Sequence, residues 1–122
     1  MLSLTHVTRL MLLTGALMFP TMAHSVQQVF VDQLYCDGLA DMAKAGAEAK
    51  QRGESLQQWR NNMLAMKGYG VRNEDNVLFR VLPQAIEEAG EVYKAKRPPV
   101  ATYIATYKAC MVSDFGHTKI LR

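Results

Sequence analysis

Few side chains in this 122-residue sequence have the types and spacing to do chemistry, and each has a plainer explanation. Glu87, Glu88 and Glu91 cluster in one helical stretch, with Glu88 and Glu91 sharing a face at i, i+3. Paired carboxylates can serve as acid and base. No His, Ser or Cys stands beside them at a motif spacing, however, and Lys94, Lys96 and Arg97 follow closely as surface ion-pair partners. A solvated helix face accounts for them, so no catalytic residue is expected. Met42, Met63, Met66 and Met111 could offer thioethers to a soft metal, but at helical core positions methionines are ordinary gap fillers. His24, at the start of a processed chain, could hold copper only if the far tail brought His117 to it. No metal, no cofactor and no enzymatic activity are expected.

Cys36 and Cys110 are the only cysteines, and their meaning depends on the compartment. They lack a Cys-x-x-Cys spacing and a nearby basic group, which argues against a redox or metal thiol pair. Residues 1–23 supply the compartment. Arg9 lies in a short start without acidic residues, an uncharged apolar run follows over 10–19, Pro20 breaks it, and Thr21 and Ala23 are small residues at the −3 and −1 positions of a cut. That order is the one found in secretory signal peptides. The apolar run is about half of what a bilayer crossing needs, so no membrane span is expected after cleavage. The mature chain is then periplasmic or secreted, and an even pair of cysteines there is expected to be bridged. Closing so long a loop is worth about 4 kcal/mol in the chain-entropy model.

The chain is 49% hydrophobic and 20% charged, a globular composition. Its 14 basic and 11 acidic residues are too balanced for a nucleic-acid binder. The length allows one domain, over 24–122. No stretch alternates long enough to be a convincing strand, and four stretches read as helix. The first covers 26–51, with an alanine-rich band and a stop at Gly53. Ser55 and Gln58 form a capping box for the second, which carries Leu56, Trp59, Met63 and Leu64 on one side and ends at Gly68-Tyr69-Gly70. Asn73 caps a third, interrupted by Pro83, which either kinks or splits it. The fourth covers 99–112, with Val100, Tyr103, Ile104, Tyr107, Cys110 and Met111 as its buried stripe, and 114–122 is a frayed tail. The expected fold is all-α, a bundle of four to five helices stapled from first to last by Cys36–Cys110, with those two helices antiparallel.

Two helix junctions are candidates for contact with a partner. Tyr69 sits between two glycines, and Arg72 follows it in the segment 68–73. A loop aromatic is a reasonable binding anchor, although the simplest reading of Gly68-Tyr69-Gly70 is a turn whose tyrosine folds back on the core. The second junction, 94–99, carries Lys96 and Arg97.

The pattern Cys36-x-x-Leu39-Ala40-x-Met42-Ala43, then Lys50-Gln51-Arg52-Gly53-x-Ser55, Val92-Tyr93 and Ala109-Cys110 resembles a broad group of small bacterial exported proteins with one disulfide. In build the chain is also similar to Tai-type periplasmic immunity proteins, which block secreted cell-wall hydrolases, and to HdeA-like acid chaperones. The first resemblance implies a non-catalytic binder or inhibitor with a protein partner, often a homodimer. The second implies an acid-stress chaperone. An envelope protein of another role remains the third class.

Overall fold

The computed structural model describes residues 27–70 and 77–121. The leader at 1–23, His24, Arg72 and the cap at Asn73 lie outside the described residues. In chain order the elements are β1 (Gln27–Phe30), α1 (Gln33–Gln51), α2 (Leu56–Gly70), α3 (Val77–Lys94), α4 (Pro99–Ser113) and β2 (Thr118–Leu121). The protein is mostly helical, as expected, with a small sheet in addition.

The first helix starts later than 26 because a better signal lies inside that range. Asp32 adopts an extended conformation and its carboxylate accepts the Tyr35 backbone N–H at 2.7 Å, which satisfies a donor at the helix start. The residues before it alternate, with Val29 and Val31 buried and Phe30 exposed. They form β1, antiparallel to β2 with Gln28 opposite Ile120 and Phe30 opposite Thr118. The tail is therefore not frayed over 118–121. Bonds from Val31 N–H to the His117 carbonyl and from Gly116 N–H to the Val31 carbonyl extend the pairing, and Asp114 and Lys119 are ion-paired at 2.8 Å. Gly116 turns the chain back at φ 82°, a conformation that favours glycine.

The predicted stop and capping box both form. Gly53 ends α1 at φ 90°, with its N–H donating to the Lys50 carbonyl. Gln58 N–H donates to Ser55 Oγ at 3.1 Å, and Ser55 N–H donates back to Gln58 Oε1 at 2.8 Å. Pro83 does not split the third helix, since α3 continues through it. Its missing donor is outweighed by the burial of Val81, Leu82, Ala85 and Ala89 on the same helix.

α1 is the shared centre, packing against both α3 and α4, while α2 covers α3. Small residues make this close approach feasible. A Cβ on Gly46 would come within 2.9 Å of Trp59 Nε1, so α2 reaches α1 only because position 46 has no side chain. At the far end Lys50 Nζ donates to the Tyr93 carbonyl at 2.6 Å, and the Tyr93 hydroxyl donates to the Glu54 carbonyl at 3.0 Å. These bonds tie the ends of α1 and α3 together. At the near end Cys36 is bonded to Cys110, Cα to Cα 5.5 Å, joining the first and last helices.

Reducing this bridge, or replacing both cysteines by Ala, is expected to lower the unfolding free energy by about 4 kcal/mol, measured by urea denaturation. Gly46→Ala is expected to cost about 1–3 kcal/mol, with a shifted Trp59 fluorescence, because the indole must move.

Candidate functional site

The disulfide sets how α4 is turned, and that turn decides what it shows to solvent. Helix positions advance by about 100° per residue. With Cys110 aimed at α1, Thr106 points roughly 40° to one side, while Ile104 points roughly 120° to the other. Only Thr102 and Cys110 of α4 are buried. The expected buried stripe is corrected: Val100 and Ile104 are 62% and 58% exposed, and Tyr103, Tyr107 and Met111 are half-buried. Val100 and Ile104 are left largely in solvent, while Tyr107 and Met111 still pack against the core.

Leu34, near the start of α1, is 58% exposed and lies beside the two tyrosines. Together Gln33, Leu34, Asp37, Tyr103 and Tyr107 line an open groove of about 470 Å³. The tyrosine rings are stacked, nearly parallel, with centroids 6.0 Å apart. The Tyr103 hydroxyl donates a short hydrogen bond to Asp37 Oδ1. That bond, then burial and the charges of Asp37 and Asp41, push the Tyr103 phenol up to about 12. Phe30, Ile120, Phe115 and Val112 add further exposed apolar side chains on the sheet, α4 and the turn between them.

A second groove, of about 320 Å³, opens between α3 and α4 over α1. Glu88, Glu91, Asp114 and Arg97 line it, and Gln84 lies at its floor. Fully buried Tyr35 donates to Gln84 Oε1 at 2.5 Å, and Gln84 Nε2 donates to Glu88 Oε2 at 2.6 Å. Burial raises the Tyr35 phenol first, with Glu88 and Asp114 adding to it against Arg80. Glu88 thus serves a structural bond. Among the described residues no ion pair joins Glu87, Glu88 or Glu91 to Lys94, Lys96 or Arg97, contrary to the surface pairing expected from sequence.

The partner-contact candidates separate. Lys96 and Arg97 are both exposed in the α3–α4 connection, and Arg97 reaches the second groove. Tyr69 is not on a loop: α2 runs through it to Gly70. A glycine inside a helix costs only about 1 kcal/mol, too little to stop one at Gly68. Met42 and Met63 are buried in the core. Sequence reasoning missed Gln33, Leu34 and Asp37. No local signal marks them, because their role depends on Tyr103 and Tyr107 of α4, distant in the chain.

Asp37→Asn is expected to bring Tyr103 ionisation down toward 10, followed by its ring NMR signals. Between pH 10 and 12 the unfolded chain releases this proton while the folded chain keeps it. The contribution to stability is therefore complete below pH 10 and is lost as pH rises through 12.

Comparison of the chain with protein-family models, with curated proteins and with solved structures gives no match.

Proposed function

We propose that this chain is an exported, non-catalytic protein that binds and inhibits a protein partner, in the manner of an immunity protein against a secreted cell-wall hydrolase. The observation that carries this reading is the apolar and aromatic face of α1 and α4, with Leu34, Val100 and Ile104 all more than half exposed. Val100 and Ile104 stand one turn apart on α4, and contiguous exposed apolar surface is a mark of interaction sites. The bridge under that face supports an oxidising compartment and a rigid presentation, which reduces the ordering cost of binding. Among the described residues no helix is long and apolar enough to cross a membrane. Inhibition by occlusion needs a shaped, pre-organised surface and no reactive group, which is what α1 and α4 offer.

The tagged chain, expressed in its own host, is expected to capture one stoichiometric cell-wall hydrolase at neutral pH. Val100→Asp with Ile104→Asp should weaken that capture at least about tenfold while leaving helicity unchanged, because both side chains are already solvent-exposed. Capture of many unfolded clients only after acidification would overturn the inhibitor reading in favour of a chaperone. Capture of nothing under either condition would overturn it as well.

A further inference from the structure

We propose that the groove between α1 and α4 receives an organic cation, a guanidinium or ammonium group, held between the Tyr103–Tyr107 pair and the Asp37 carboxylate. Three observations converge on this chemistry. Two near-parallel phenol rings line the groove, and aromatic faces attract cations through their quadrupole. Asp37 Oδ1 accepts from Tyr103, and Asp37 is only half-buried on the groove wall, so its carboxylate is within reach of a ligand seated against the rings. No Lys or Arg lines the groove, although the whole chain is net positive.

Asp41, one turn further along α1, adds to the negative potential, since its charge acts on the Tyr103 phenol. Lys108 is exposed on α4 but is not part of the lining.

Other ligand classes fit less well. An anion would meet the Asp37 carboxylate and no donor other than the Gln33 amide and the tyrosine hydroxyls, one of which is already committed. A hard metal ion needs six or more oxygens, and the groove supplies one carboxylate and one amide. A neutral apolar group would cover the carboxylate without pairing it, which is costly. A flat guanidinium or a methylated ammonium satisfies both the rings and the acid.

This inference deepens the binding reading by naming what a partner presents at this groove, and it does not require the partner to be a hydrolase. The test is an NMR titration of the purified chain with two probes: a short blocked peptide containing arginine, and tetramethylammonium chloride. A blocked peptide containing glutamate in place of arginine serves as control. Shifts confined to residues 33–37 and 103–107 are expected. They should be saturable, weakened by added salt and absent with the control.

Asp37→Asn and Tyr107→Ala should each weaken binding about fivefold to tenfold, whereas Tyr103→Phe, which keeps the ring, should stay within about twofold. Retention of the disulfide by mass and of helicity shows that each variant is folded. A response to the peptide assigns the cation to a protein side chain, and a response to tetramethylammonium alone assigns it to a small amine. Either supports the site. Shifts scattered over the surface, equal binding of the control, or no loss in Asp37→Asn and Tyr107→Ala would overturn it. Failed titrations alongside a captured partner would overturn this inference alone. Successful titrations with no captured partner would overturn only the inhibitor reading.

Discussion

A covalent bond between two helices fixes more than their separation. Because Cys110 must face Cys36, the rotation of α4 about its own axis is set, and with it the destination of every other side chain on that helix. With Cys110 inward, Tyr103 and Tyr107 fall within about 60° of it and are half-buried, whereas Ile104 is carried about 120° away. Thr102 and Cys110 are buried, and Val100 and Ile104 form an apolar edge left in water. That arrangement is uphill for the burial term, and a bond that does not depend on burial is what can maintain it.

The opposite end of α1 is held differently. Lys50 reaches across to the carbonyls at the end of α3, where the helix dipole favours a cation, and Tyr93 returns a bond to Glu54 just past the end of α1. α1 is thus clamped covalently to α4 at one end and through charge-assisted hydrogen bonds to α3 at the other. Its glycines and alanines let α2 and α3 come close, while α3 and α4 stand apart over it. The groove between α3 and α4 is a consequence of that spacing, while the other lies between α1 and α4 alone.

Signals that act within one or two turns were legible in the sequence. Ser55 and Gln58 cap α2, Gly53 stops α1, and the pairing of Cys36 with Cys110 follows from there being no other cysteine. What depended on distant partners was not legible. Val29 and Val31 alternate over too few residues to announce a strand, and β1 forms only because 118–121 return to it from the other end of the chain. The tyrosines of α4 were visible as aromatics at helical spacing, which does not say which side of the helix meets α1. Asp37 drew no notice as a lone acid among small residues. It matters because Tyr103, far away in the chain, is turned toward it.

The antiparallel pairing of β1 and β2 places Gln27 opposite Leu121. Anything joined to the chain before the first strand or after the last one therefore sets out from a single place. With the bridge intact, that strand pair closes only two short connecting segments, one on each side of the disulfide, and it seats Val29 in the core that the helices share. Linkers attached at either end would leave from the same corner, and tension between them would fall first on the strand pair and on the core residues that it seats.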